Sequence, residues 1–310
     1  MTEVPKPDSA TARIKARLDE LGLRIQKGFG QNFLIDRTIL RDITAAAELS
    51  AGDIVVEVGP GLGVLTTELA AAAGRVVAVE LDRGLAEGLR DEFRDRTNVT
   101  IVNGDILGLS PETLLEPYRM EVEASGYKVV ANVPYYITSP VLRHFLEARW
   151  KPRLMVVTVQ REVGESITAG AGDMSLLGAI IQFYAWPKIV RKVSARAFYP
   201  APKVDSVVLR LDVYGKPPVK VADVDAFFRV IKAGFSARRK QLHNPLARGL
   251  VLPQTVVAEA LKESGIDPMR RAETLTLKEW AIISERLRQY VDTSCTSQTK
   301  PRSGSTGQTR

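Results

Sequence analysis

Ile54-Val55-Val56-Glu57-Val58-Gly59-Pro60-Gly61-Leu62-Gly63 is the stretch whose reading decides the fold. The apolar run predicts a strand over Ile54 to Val58, and the three closely spaced glycines predict a tight turn into a helix from Gly63 to about Ala73. The same alternation repeats on either side. Val76 to Glu80 reads as a second strand and Arg83 to Arg94 as a helix. Val99 to Val102, Lys128 to Ala131 and Leu154 to Val159 supply three more strands, with helices between them. Strands apolar on both faces, alternating with helices, predict an α/β fold whose parallel sheet is covered on both sides.

Upstream, a helix is expected from Ser9 to Leu21, ended by Gly22, and Asp36 is placed to cap another that reaches about Leu49. Between them Lys27-Gly28-Phe29-Gly30-Gln31-Asn32-Phe33-Leu34 is too glycine-rich for regular structure. Downstream, the pattern changes after Trp186-Pro187. Ile189 to Ala195 and Val204 to Val213 read as strands, joined by Phe198-Tyr199-Pro200-Ala201-Pro202, whose prolines stiffen an extended link. Gly215-Lys216-Pro217-Pro218 reads as a linker, and only helices are expected beyond it: Val224 to Phe235, Gln254 to Ser264 and Leu277 to Val291. From Thr293 the Ser/Thr/Lys/Arg/Gly composition cannot form a core, so a disordered tail is expected.

The 310 residues carry 43 Lys+Arg against 36 Asp+Glu, a net charge of +7. The excess is not spread evenly. Residues 216–310 hold 17 basic and 9 acidic side chains, while residues 1–215 hold 26 and 27. A basic C-terminal third is suited to a polyanion, although a solvated basic face would look the same. A single cysteine (Cys295) excludes a disulfide framework, and two histidines make a multi-histidine metal centre improbable, so no metal is expected. No apolar run reaches a membrane span and the N-terminus lacks a leader's apolar stretch, which makes a cytoplasmic protein the expectation.

Three strand ends carry candidate binding groups. A dinucleotide fingerprint needs a glycine three residues after its second, but Gly61 is followed at that point by Val64. The G-x-G-x-G spacing fits nucleoside-methyltransferase folds, where no pyrophosphate is cradled; a bare tight turn is the alternative. Glu80 ends the second strand, where an acid can accept both hydroxyls of a ribose. Asp105 follows the third, where it can take an adenine amine or merely cap a turn. After the fourth strand, Asn132-Val133-Pro134-Tyr135 offers in-plane acceptors for a flat amino group and a ring to stack on an extruded base, against the alternative of an Asn-x-Pro turn with a core tyrosine.

These motifs resemble the ribosomal RNA adenine N6-dimethyltransferases, of the type acting on small-subunit ribosomal RNA, from about residue 10 to about residue 290. The resemblance rests on Gly30-Gln31-Asn32-Phe33-Leu34, Glu57 to Gly63, Val79-Glu80-Leu81-Asp82, Asn132 to Tyr135 and Phe198 to Ser206. It extends to Phe235-Ser236-Ala237-Arg238-Arg239-Lys240 and Arg271-Ala272-Glu273-Thr274-Leu275. Tyr136 departs from the family's frequent Asn, and Ala201 from its frequent Pro. The resemblance implies a Rossmann-like methyltransferase fold with a small all-helical C-terminal domain. It divides the chain into an N-terminal helical extension (1–26), a catalytic domain (27–214), an RNA-binding domain (215–292) and a polar tail (293–310). It also implies S-adenosylmethionine as cofactor and dimethylation of N6 on two adjacent adenosines, in a loop near the 3′ end of 16S RNA within an assembling small subunit. The enzyme is expected to act as a monomer. Carried onto this chain, Gln31, Asn32, Leu34, Gly59, Gly61, Glu80, Asp105 and Asn132 border the cofactor. Asn132, Tyr135 and Phe198 receive the target adenine, and Arg238, Arg239, Lys240, Arg248, Arg270 and Arg271 bind RNA. The rival readings are a 23S RNA methylase of the macrolide-resistance type, a non-catalytic assembly factor and, more remotely, a nicotinamide-dependent dehydrogenase.

Overall fold

The five apolar segments expected as strands pair into one sheet in the computed structural model, which describes residues 10–26 and 30–295. The helix start at Ser9, the glycine-rich residues 27–29 and the tail from 296 onward lie outside the described residues. Nine strands are described: β1 (Phe33–Leu34), β2 (Ile54–Val58), β3 (Arg75–Glu80), β4 (Val99–Asn103), β5 (Lys128–Ala131), β6 (Leu154–Gln160), β7 (Ala185–Val193), β8 (Phe198–Tyr199) and β9 (Ser206–Val213). Seven form a sheet in the order β4-β3-β2-β5-β6-β9-β7. Only β9 runs against its neighbours, pairing antiparallel with both β6 and β7. The chain leaves β2 for β3 and β4 on one side, then crosses to β5 on the other. The crevice between the carboxyl ends of β2 and β5 is therefore the switch point at which open α/β sheets bind ligands.

Helices cover the sheet: α1 (Ala10–Glu20), α2 (Arg37–Ala46), α3 (Val64–Ala72), α4 (Arg83–Glu92), α5 (Pro111–Leu115), α6 (Arg119–Ser125), α7 (Thr138–Glu147) and α8 (Arg161–Thr168). Asp36 caps α2 as expected, its Oδ1 accepting from the N–H groups of Thr38 and Ile39. One apolar cluster joins α2 and α3 to the buried faces of β2, β3, β5, β6 and β9. A second joins Ile14 and Leu18 of α1 to Phe33, Leu62 and Leu85. The N-terminal helix thus packs as a wall of the unit that carries the sheet. Its trailing leucines lie against α4 where side chains are absent: a Cβ on Gly84 would sit 2.5 Å from Leu23, and one on Gly88 2.8 Å from Leu21.

The amino edge of the sheet is locked by a buried lysine. Lys128 Nζ, at the first residue of β5, donates to the Ala47 carbonyl (2.9 Å), the Glu48 carbonyl (2.5 Å) and Asp53 Oδ2 (3.1 Å). Two of these acceptors are carbonyls just beyond α2, at the negative end of its dipole. Asp53 also accepts from Ser50 and Arg153, so neither buried charge is unpaired.

Two expectations change here. Phe33 and Leu34, expected in irregular structure, pair antiparallel with Tyr199 and Phe198. A two-residue ladder between distant segments leaves no local periodicity to read. Trp186-Pro187, taken as the point where the pattern changes, lies inside β7; this is an edge strand, where a proline's missing N–H interrupts no ladder.

The remaining helices are α9 (Leu176–Tyr184), α10 (Val224–Phe235), α11 (His243–Leu250), α12 (Gln254–Glu263) and α13 (Leu277–Cys295). The second compact unit combines residues 169–183 with those from Pro218 onward, so the division is not a single cut at 215. Within it, Phe183 packs on Phe227 and Phe228 with ring centroids 5.0 and 5.2 Å apart, and Gly172 N–H donates to the Glu273 carbonyl (2.9 Å). Trp280 is fully buried above Gly234, where a Cβ would lie 2.3 Å from the ring. α13 continues through residues 293–295, the first three of the expected tail.

Candidate active site

At the carboxyl end of β2 the backbone turns at Gly59 and Gly61, both with positive φ. Gly61 disfavours a side chain: a Cβ would crowd the Phe33 ring at 3.1 Å, in a backbone conformation that side chains rarely adopt. Its N–H donates to Glu80 Oε2 at the end of β3 (3.0 Å). Glu80 Oε1 accepts from the Asp82 N–H (3.0 Å), and Asp82 Oδ1 in turn caps α4 through the Leu85 N–H. Burial pushes the Glu80 carboxyl up from the ordinary range, and the two backbone donors oppose that shift.

Gln31, Asn32, Leu34, Gly59, Gly61, Glu80, Asp105 and Asn132 all line one cleft, together with Tyr135 and Phe198. Each is fixed by an identifiable contact. Gln31 Oε1 accepts from the Gln26 backbone N–H (2.9 Å), and Gln26 Nε2 donates to Asp82 Oδ2 (2.9 Å), so the chain leaving α1 ties one wall to the Glu80 turn. Asp105 Oδ1 caps the short turn after β4 by accepting from Leu107 N–H (2.9 Å), leaving its second oxygen for a ligand. Asn132 Nδ2 donates to the Asn32 carbonyl (3.2 Å), which orients the amide and leaves Oδ1 as its acceptor. The Tyr135 hydroxyl lies 2.6 Å from Ser206 Oγ, a buried residue at the start of β9. Phe198 is buried and held by the β1–β8 ladder, opposite Leu34.

Sequence reasoning left Glu57 without a role. It is wholly buried in β2, lines the same cleft, and neither carboxylate oxygen has a hydrogen bond of normal geometry among the described residues. Burial pushes its carboxyl up to about 8, with the neighbouring Thr66 hydroxyl opposing and Glu80 adding to the shift. An acid alone in a valine strand was the available signal. Ser206 and Phe33, which fix Tyr135 and Gly61, carried none.

In the second unit Arg238, Arg239 and Lys240 are exposed in the turn after α10, and Arg248 is exposed in the last turn of α11. Arg271 is exposed, 3.9 Å from Glu273. Arg270 departs from the expectation of a polyanion contact. Its guanidinium is paired with Glu279 and also donates to Thr274 O (2.6 Å) and Thr274 Oγ1 (3.1 Å), which pins the segment before α13.

The cleft's acceptors, glycine turn and lack of a pyrophosphate cradle fit a nucleoside cofactor carrying no phosphate: the carboxylates of Glu80 and Asp105, at successive strand ends, line one cleft with the glycine turn. The comparisons agree. Residues 22–289 match the family described as ribosomal RNA adenine dimethylase. Ribosomal RNA small subunit methyltransferase A of Dehalococcoides mccartyi is 46% identical over 89% of this chain and 93% of its own length. The protein of the same description from Moorella thermoacetica is 46% identical over 89% and 96%. Among solved structures, the 23S rRNA methyltransferase ErmE is 29% identical with a TM-score of 0.64, covering 83% of this chain and all of that one. A dimethyladenosine transferase from Plasmodium falciparum shares the fold, with a TM-score of 0.71 at 22% identity, over 83% of this chain and 98% of its own.

The raised Glu57 carboxyl sets a sign for stability against pH. The folded chain keeps a proton that the unfolded chain releases near 4.5, so stability is full below that value and falls as pH rises to about 8. Glu57→Gln should flatten this decline, which is at most about 1.4 kcal/mol per pH unit for one group; unfolding midpoints of both proteins at pH 5, 6, 7 and 8 check it. Arg270→Ala should lower stability by roughly 1–2 kcal/mol, because its partly screened hydrogen bonds to Glu279 and Thr274 are removed. A drop in denaturant midpoint that Arg271→Ala does not share is the expected reading.

Proposed function

The chain belongs to the ribosomal RNA adenine dimethylase family, and from that premise we propose how its residues dimethylate N6 of two adjacent adenosines in small-subunit ribosomal RNA. It is an S-adenosylmethionine-dependent enzyme. The cofactor supplies an already activated methyl group. Glu80, held open by two backbone donors, accepts from the ribose hydroxyls, and the Asp105 oxygen not engaged in capping takes the adenine amine. Gln31, Asn32 and Leu34 form one wall of that pocket, and the glycine turn lets backbone approach the methionine end.

The observation that carries the reading is the orientation of Asn132. With Nδ2 engaged by the Asn32 carbonyl, Oδ1 and the Val133 carbonyl are the acceptors for an exocyclic amine. Adenine N6 is a poor nucleophile because its lone pair is delocalised into the ring. Two acceptors on its hydrogens favour a pyramidal nitrogen, and the Tyr135 π-face stabilises the positive charge that develops there. Ser206 fixes the ring through its hydroxyl, while Phe198 supplies the second aromatic surface. Methylation itself acidifies the amine, so no base need remove a proton beforehand.

The exposed arginines and lysine of the second unit hold RNA phosphates, and single-stranded or loop RNA is the target because a base within an A-form duplex cannot reach such a pocket. We place the enzyme in the cytoplasm, acting as a monomer on an assembling small subunit. The 46% identity to small-subunit methyltransferases, against 29% to the 23S enzyme, supports the small subunit as substrate. Labelled S-adenosylmethionine offered to unmethylated small and large subunits, followed by mapping of modified nucleotides, tests this directly. Label confined to large-subunit RNA would overturn the assignment.

Asn132→Ala should reduce turnover by roughly 10²–10³ while leaving cofactor affinity largely intact; methyl-transfer assays and calorimetry with S-adenosylmethionine measure the two separately. Reversing Arg238 and Arg239 to Glu should weaken subunit binding and lower its salt slope by about one for each phosphate no longer neutralised, checked by binding titrations across a salt series.

A further inference from the structure

Four large apolar side chains stand exposed at the carboxyl edge of the sheet, one just beyond each of four neighbouring strands: Val64, Leu81, Leu107 and Tyr136. The first three follow β2, β3 and β4, whose ends carry the glycine turn, Glu80 and Asp105. Of these, Val64 and Leu81 line the end of the cleft assigned to the cofactor, and Leu107 lies two residues past Asp105. Tyr136 follows β5 instead, one residue past the ring assigned to the target adenine. It is 59% exposed, whereas Phe33 and Phe198, which line the same cleft, are 8% and 3% exposed.

Its direction is set locally. Residues Tyr135–Ile137 form a 3₁₀ turn, in which successive side chains diverge by about a third of a turn. The Tyr135 hydroxyl is anchored at Ser206, so the neighbouring ring is turned away from it. Tyr136 lies beside Gly30, where a Cβ would stand 3.5 Å from the ring and 3.3 Å from Pro134. The ring is supported from behind by backbone and remains open in front. A flat, rigid aromatic surface at the mouth of a base pocket is suited to a second base.

The geometry points to Tyr136 as a second stacking platform, which holds the base of the nucleotide next to the adenosine being methylated. This rests on the adenosine dimethylase reading given above. An adenosine in RNA enters the cleft with its neighbour covalently attached, and the substrate here is a pair of adjacent adenosines. While one occupies the site between Tyr135 and Phe198, the other is the nearest base to the mouth. Tyr136 thereby acts as a positioning residue that selects for a purine neighbour and presents the second adenosine after the first.

A double-mutant cycle tests this with small subunits reconstituted from RNA in which either adenosine of the pair is replaced by an abasic ribose, the other being left to accept methyl groups. With wild-type enzyme, removing the neighbouring base should lower kcat/KM on the remaining adenosine by about tenfold, the scale of one base–aromatic stack. Tyr136→Ala should show a similar loss on intact RNA and little further loss on abasic RNA, while Tyr136→Phe behaves as wild type. Calorimetric affinity for S-adenosylmethionine should be the same in all three proteins, which separates a contact with RNA from a disturbed cofactor pocket. Losses that multiply, or a Tyr136→Ala enzyme as active as wild type on intact RNA, would overturn the inference. If wild-type enzyme methylates neither adenosine of an intact subunit, the dimethylase reading itself falls, and this inference with it.

Discussion

The Glu80 carboxylate, clamped between the N–H of Gly61 and the N–H of Asp82, is the interaction on which the rest of the site depends. One acid joins the turn after β2 to the turn after β3. Gly61 adopts its positive φ against the Phe33 ring, and Phe33 is held both by the packing of α1 and by its pairing with Tyr199. On its other side the clamp continues through Asp82 to the cap of α4 and to Gln26, which also holds Gln31. The Gln31 wall, the glycine turn and the segment leaving the N-terminal helix are thus one hydrogen-bonded assembly. Burial disfavours the ionised carboxylate, and the donated N–H groups offset that penalty without neutralising it.

The two edges of the sheet solve opposite problems. At the amino edge, Lys128 and Asp53 are buried but fully partnered, by each other, by carbonyls beyond α2 and by Ser50 and Arg153. Such a cluster specifies how β2, β5 and α2 meet and leaves nothing to bind. At the carboxyl edge, Glu57 is buried without comparable partners, and Asn132 and Asp105 each keep an acceptor in reserve. Glu57, Asn132 and Asp105 thus present polar atoms in the cleft whose hydrogen bonding a ligand can complete.

Much of this was legible in the sequence because it is local. The strand at Ile54–Val58, the cap at Asp36 and the helix Val224–Phe235 all stand where periodicity and capping chemistry put them. Every residue expected to border the cofactor lines the cleft. What escaped was set by distant partners. The β1–β8 ladder has two residues on each side and no pattern of its own. α11, which begins His243-Asn244-Pro245, is a helix absent from the sequence expectations. Residues 169–183 join the second unit through Phe183 and Glu273, whereas composition suggested one boundary at the Gly215–Pro218 linker. Arg270 is indistinguishable from Arg271 in sequence, and its contacts with Thr274 and with Glu279, nine residues on, set it apart.

The β1–β8 pairing also imposes an order in time. Its two strands come from opposite ends of the catalytic unit, and loop closure of that length is slow compared with forming neighbouring helices and strands. During synthesis the parallel strands β2 to β6 can associate before residue 198 has emerged, yet Leu34 has no partner until Phe198 arrives. A nascent chain halted before that point would have the glycine turn, Glu80 and Asn132 but an unfinished wall. The wall that carries Leu34 is therefore completed only when the unit's two ends meet.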